Sequence, residues 1–214
     1  MFGFNKLTPV QTVDAIEKQV YEFLKPYGFK KFGRTLGRFV DGDIFQLVNF
    51  QIFTPETINL QTGERKNGKT QRVAVNLGIR VPECAERCFA PEKNQKYYHD
   101  YECNIRKTLE NTYSLKKSPT KTAEKIIAEL EDVISLFETL CSRQEILHNR
   151  EKRIEFDEMH GDLAILDEAM IYGRIGETEK AAALFNEYYR TVTHKGHLEY
   201  LESLASKLGI ELSK

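Results

Sequence analysis

The segment Gly63-Glu64-Arg65-Lys66-Asn67-Gly68-Lys69-Thr70 satisfies, letter for letter, the G-x-x-x-x-G-K-[ST] pattern by which a loop wraps the phosphates of a nucleotide. That chemistry depends on context. The loop must leave a buried strand and enter a helix, so that backbone N–H groups and the positive helix terminus converge on the phosphates. Here Arg72 to Val81 alternates with a period of two, which is the mark of a strand, and the residues before Gly63 are polar. No apolar run ending in Asp follows to supply a second magnesium ligand. The segment is therefore read as a hairpin turn. Four cations, Arg65, Lys66, Lys69 and Arg72, against Glu64 leave its tip with a net charge of +3, solvated by default and open to an anionic partner as the alternative.

A second pattern is Cys84-x-x-x-Cys88 followed by His99-x-x-x-Cys103. Three thiolates and an imidazole are a legitimate tetrahedral zinc set. The competing reading is that Cys103 fills a small apolar position on a strand and that His99, beside Tyr97, Tyr98 and Asp100, sits in an exposed loop. Cys141, next to Leu140, reads as packing, and four Cys in this length do not suggest a disulfide scaffold. Glu155, Asp157, Glu158, His160 and Asp162 form an acidic cluster with one imidazole, which is read as an acidic helix start ahead of Leu163, with a metal as the alternative. None of the five His stands in H-E-x-x-H, and no Ser occupies a G-x-S-x-G elbow. The expectation is no catalytic set, no metal and no cofactor.

The elements that must position these residues follow from capping and periodicity. Thr8, Pro9 and Gln11 form a capping box, and Val13, Ile16, Val20, Phe23 and Leu24 make one apolar stripe that ends at Pro26 and Gly28. From Phe29 the period becomes two. Asp41-Gly42 predicts a two-residue turn in which Phe39 opposes Ile44, Gly37 opposes Gln46 and Thr35 opposes Val48. Asn67-Gly68 predicts a second hairpin, with Thr62 opposite Val73, Leu60 opposite Val75 and Ile58 opposite Leu77. A loop spans 82–100, and a further strand is expected over Tyr101–Arg106. Ser118-Pro119 opens a long helix running to about Asn149, and three more helical segments follow, the last stopping at Gly209. Ala169, Tyr172, Gly176 and Ala181 look like a single tetratricopeptide-type hairpin, but one copy lacks the neighbours such arrays need.

The fold class expected is α+β, with an antiparallel meander of four or five strands packed by the first and the long central helix. Residues 1–144 would form that domain and residues 145–214 a helical extension. With 31 Lys and Arg against 32 Asp and Glu, the net charge of -1 excludes a strongly basic nucleic-acid binder. At 41% hydrophobic and 29% charged residues the chain is outside the disordered range. No stretch approaches the ~18 apolar residues of a membrane span, and Met1–Lys6 lacks the pattern of a signal peptide. A soluble, cytoplasmic protein is expected.

The predicted registers collect one polar and aromatic face: Arg34, Arg38, Phe45, Leu47, Asn49 and Gln51, joined by Asn76, Arg80 and Arg106. Fixed amides and guanidinium groups beside aromatic area suit protein recognition. The alternative is that the long helix or the C-terminal helices cover this face.

The motifs Leu24-Lys25-Pro26-Tyr27-Gly28-Phe29-Lys30-Lys31, Gly33-Arg34, Val48-Asn49-Phe50-Gln51, Asn76-Leu77-Gly78-Ile79 and Tyr101-Glu102-Cys103-Asn104-Ile105-Arg106 occur in that order. Over roughly residues 10 to 140 the chain resembles a bacterial family known as a domain of unknown function (number four-three-zero-four). The resemblance implies an α+β domain in a bacterial cytoplasm and supplies no activity. It places Cys103 and Arg106 in the family's strand motif, leaves Cys84 and Cys88 outside it, and marks the loop with the phosphate-binding pattern as a variable insertion. A non-catalytic protein-binding module with an unknown protein partner is the leading expectation, its concrete form a toxin-neutralising immunity protein. Its rivals are a metal-dependent hydrolase using His99 or the His160 cluster, and a helical-repeat adaptor.

Overall fold

The computed structural model describes residues 7–58, 60–85, 96–158 and 161–213. Helix α1 (Pro9–Leu24) begins at the expected capping box, with the Thr8 hydroxyl accepting from Gln11 N and the Gln11 side chain accepting from Thr8 N. Six strands then build one antiparallel sheet: β1 (Lys30–Phe32), β2 (Thr35–Val40), β3 (Ile44–Phe53), β6 (Arg72–Arg80), β7 (Ile105–Thr108) and β8 (Tyr113–Ser114). Their order is β1-β2-β3-β6-β7, with β8 also pairing β6. Between β3 and β6 the short strands β4 (Glu56–Ile58) and β5 (Arg65–Asn67) pair only with each other. The fold is α+β.

Three expectations about this sheet are corrected. The strand read as continuous from Phe29 to Val40 breaks at Gly33 (φ 61), so β1 folds back on β2. The loop after β2 holds Asp41, Gly42 and Asp43, because Val40 pairs with Ile44, Phe39 with Phe45 and Arg38 with Gln46. That is one residue away from the register a two-residue turn would set. Finally, β6 pairs with β3 along its whole length, Phe45 opposite Arg80 and Phe53 opposite Arg72, and not with the segment around Leu60. The described residues 60–64 of the small β4–β5 hairpin's connection precede β5, and Gly68 comes after it.

Helix α3 (Pro119–Thr139) lies with α1 on one face of the sheet, where Val13, Ile16, Val20, Ile126, Leu130 and Phe137 pack on Val48, Phe50, Val75 and Leu77. It ends ten residues before the expected limit. Gln46, fully buried on β3, donates to the carbonyls of Phe137 (2.7 Å) and Leu140 (3.2 Å), among the last-turn acceptors a helix leaves unpaired. Ser142 then caps a new helix, α4 (Arg143–His148), by accepting from Glu145 N. Helix α2 (Pro82–Ala85) precedes the loop, and α5 (Arg150–Phe156), α6 (Ala164–Arg174), α7 (Thr178–Thr191) and α8 (Lys195–Leu208) complete the chain, α8 stopping at Gly209 (φ 67). Their buried residues, from Leu166 and Ile171 to Phe185 and Leu201, join the same apolar cluster as the sheet and α1.

Two buried polar joints fix the C-terminal helices to the sheet. Arg153 on α5 pairs with Asp167 on α6, both fully buried, and Asn104 bridges that pair to β6 by donating to Asp167 Oδ2 (3.3 Å) and accepting from Val81 N (2.8 Å). Arg143 on α4 receives three carboxylates: Glu83 (2.8 Å), Asp43 (2.9 Å) and Asp41 (3.2 Å). These attractions outweigh the cost of burying the guanidinium, and Arg143 holds its proton above the usual arginine range.

Candidate functional site

Alternation along β3 and β6 places Phe45, Leu47, Asn49 and Gln51 on the sheet face away from α1 and α3, beside Arg80, Gly78, Asn76 and Ala74. The pairing of β7 adds Arg106 opposite Gly78 and Thr108 opposite Asn76. The structure therefore brings together Phe45, Leu47, Asn49, Gln51, Asn76, Arg80 and Arg106, as expected from the alternation. Arg34 and Arg38 are not among them. The one-residue change of register moves them to the helix side, where Arg34 pairs with Asp14 of α1 (3.4 Å). Arg38 donates to Gln46 Oε1 (2.8 Å) and to the Tyr27 carbonyl (2.8 Å), and pairs with Glu138 of α3 (2.8 Å). Both belong to the scaffold.

Among the described residues no helix covers the far face. Its cover is the segment 97–103, whose 3-10 turn Asp100–Glu102 stands where the sequence suggested the start of a strand. Glu102 closes that turn by accepting from His99 N (2.8 Å). The seat for the cover is made by two glycines. A Cβ at Gly37 would fall 2.2 Å from the Phe45 ring, and one at Gly78 would fall 2.6 Å from Cys103 Sγ, so the ring and the thiol lie directly on the backbone. Phe45, Leu47, Tyr98 and Cys103 form a second, small apolar cluster there, with Phe32 and Tyr97 at its margin.

An unbroken series of ring contacts crosses this face. Phe39 meets Phe45 (4.8 Å), Phe45 meets Phe32 (6.5 Å), Phe32 stacks on Tyr97 (5.3 Å), Tyr97 meets His99 (5.5 Å) and His99 stacks on Tyr101 (5.1 Å). The two ends are open to solvent, Phe39 at 46% exposure and Tyr101 at 62%. Beside the rings runs a polar ladder in which Asn76 donates to Gln51 Oε1 (3.1 Å) and Asp100 Oδ2 (3.2 Å) and accepts from Thr108 (3.1 Å). Arg106 pairs with the same Asp100 oxygen (3.4 Å).

Arg80 stands apart. Its side chain is 2% exposed, its guanidinium lies 4.1 Å over the Tyr98 ring, its Nε has no hydrogen-bond partner, and no carboxylate pairs with it among the described residues. Burying a cation without a counter-ion costs several kcal/mol, of which a ring face returns about 2.

The remaining candidates are dispersed. Cys84 is buried and donates to the Asp167 carbonyl, Cys103 lies on Gly78, and His99 stacks on Tyr101, while Cys88 falls outside the described residues. Among the described residues no three His, Cys, Asp or Glu side chains gather as a metal site requires. His160 and the Asp162 side chain also fall outside them; of that cluster, Asp157 and Glu158 bond the outer edge of β7 at Arg106 N (3.1 Å) and Thr108 N (3.4 Å). Lys69 and Thr70 of the phosphate-loop pattern lead into β6, so no helix N-terminus faces that loop. No helix is long and apolar enough to cross a membrane.

The aromatic series was only half legible beforehand. The run Tyr97-Tyr98-His99-Asp100-Tyr101 is visible as composition, but its landing place depends on Gly37 and Gly78, whose meaning emerges only once Phe45 and Cys103 are seen resting on them. No family model, curated protein or solved structure matches this chain.

Proposed function

We propose that this chain is a non-catalytic protein-binding module whose partner docks on the face running from Phe39 to Tyr101. The observation that carries this reading is an aromatic series whose two ends are exposed, with the buried guanidinium of Arg80 held over Tyr98 in its middle and no carboxylate paired with it among the described residues. Aromatic and arginine side chains in this arrangement supply most of the energy in protein interfaces. The neighbouring cation on this face, Arg106, is already matched by Asp100, so binding here is local and shape-dependent and is not driven by net charge.

The concrete form of the proposal is a toxin-neutralising immunity protein in a bacterial cytoplasm, the setting implied by the resemblance of residues 10 to 140 to a bacterial family. Its test is capture of a stoichiometric partner from the native host by the wild-type chain and by a Phe39→Ala/Tyr101→Ala variant. Both side chains are exposed, so folding should survive. The reading expects a partner that is toxic when expressed alone, is silenced by co-expression of this chain, and is lost at least about thirtyfold in affinity by the double variant. Capture of no such partner, or equal capture by the variant, would sink it.

A further inference from the structure

At the opposite end of β6 from Arg80, a cleft of about 990 Å³ opens between the β6–β8 pairing and the first turns of α3. Arg72, Lys117, Lys121 and Lys125 line it against a single carboxylate, Glu129. That carboxylate is engaged, since Glu129 Oε1 accepts from Asn111 Nδ2 (3.0 Å) and from the Tyr113 hydroxyl. Arg72 is held in the wall by its Nε bond to Thr112 Oγ1 (2.7 Å). Lys117, Lys121 and Lys125 have no ion-pair partner among the described residues. Lys121 and Lys125 stand four residues apart on α3, where like charges repel. Lys121 also lies in the first turn of the helix, where positive charge is unfavourable, and Ser118 makes no side-chain cap there. Lys117, Lys121 and Lys125 are exposed, so water screens their repulsion, and an anion in the cleft would be held by all three at once.

We propose that this cleft binds a phosphate-bearing small molecule. The volume lies at the upper end of the roughly 300–1,000 Å³ of small-molecule sites. Several ammonium groups around one compact polyanion suit phosphate, which takes lysines as point charges, and the hydroxyls of Thr112, Ser114 and Ser118 supply further donors. The site is independent of the aromatic face, so the two proposals stand or fall separately.

The test is calorimetric titration with inorganic pyrophosphate at low salt, using the full chain. The expected result is a Kd below about 1 mM. Lys121→Ala/Lys125→Ala should weaken it at least about tenfold, whereas Lys121→Arg/Lys125→Arg should keep it within about threefold. The charge-matched control, Lys152→Ala/Lys195→Ala on α5 and α8, should leave it unchanged. No binding at about 10 mM would overturn the proposal, as would an equal loss in the control. A short single-stranded oligonucleotide binding more tightly than pyrophosphate through the same lysines would overturn the small-molecule assignment.

Discussion

Cys103 occupies the space of the side chain that Gly78 lacks: a Cβ on Gly78 would meet its Sγ at 2.6 Å and Leu47 Cγ at 3.3 Å. This contact seats the segment 97–103 on the sheet. Gly78→Ala should therefore destabilise the fold by about 1–3 kcal/mol in urea unfolding, as overpacking of a filled site does. Adding Cys103→Ala should recover part of that loss. An additive penalty in the double variant would show that the clash is not with the thiol.

The buried pair Arg153–Asp167 stabilises only while both members are present. Arg153→Ala should cost about 3–5 kcal/mol, because it removes the cation that pairs with the buried Asp167 carboxylate. Replacing the pair together, Arg153→Met with Asp167→Leu, should cost clearly less than Arg153→Ala alone. Denaturant midpoints of the two variants check this, and the reverse order would refute it.

Arg143 binds Glu83 through Nε and one terminal nitrogen at 2.8 and 2.9 Å, and Asp41 and Asp43 by its remaining edges. A lysine cannot reproduce that fork. Arg143→Lys and Arg143→Ala should both lower stability, by about 2–4 kcal/mol for alanine, with lysine recovering less than half. Amide exchange at Asp41–Asp43 should quicken in both. Full recovery by lysine would mean that charge alone holds the hairpin to α4.

Glu17 is 1% exposed on α1, and burial raises its pKa above the ordinary 4.5 despite its pairing with Lys31 at 3.0 Å. Glu168 is raised by burial in the same way, against Arg150. Between the unfolded value and the raised folded one, the folded chain holds more protons than the unfolded chain, so this part of the stability is present at low pH and lost as pH rises. The stability of wild type relative to Glu17→Gln should fall between about pH 4 and pH 7. Urea midpoints at the two pH values measure it, and a rising difference would contradict the assignment.

What the amino-acid sequence determined by itself is what short-range physics decides. The Thr8 capping box, the alternation from Val73 to Val81 and the stop of α8 at Gly209 each depend on residues within a turn or two, and each is found where the pattern puts it. Local patterns of this kind give the α+β class and the alternation that puts Asn76 and Arg80 on one side of β6, but the pairing that sets them beside Phe45 and Asn49 is not among them.

Tertiary structure decided the rest. The loop after β2 takes a third residue while Asp41 and Asp43 both reach Arg143, about a hundred residues further along the chain. That single residue exchanges the faces of β2 and sends Arg34 and Arg38 to the helices. The central helix ends where the buried Gln46 meets its last carbonyls, and β6 pairs with β3 over its whole length, opposing Val48 to Leu77, Phe50 to Val75 and Ile52 to Val73 on the helix side. Contacts between distant residues, made in surroundings with little water, outweigh a turn preference worth about 1 kcal/mol, and no periodicity in the chain reports who those distant partners are.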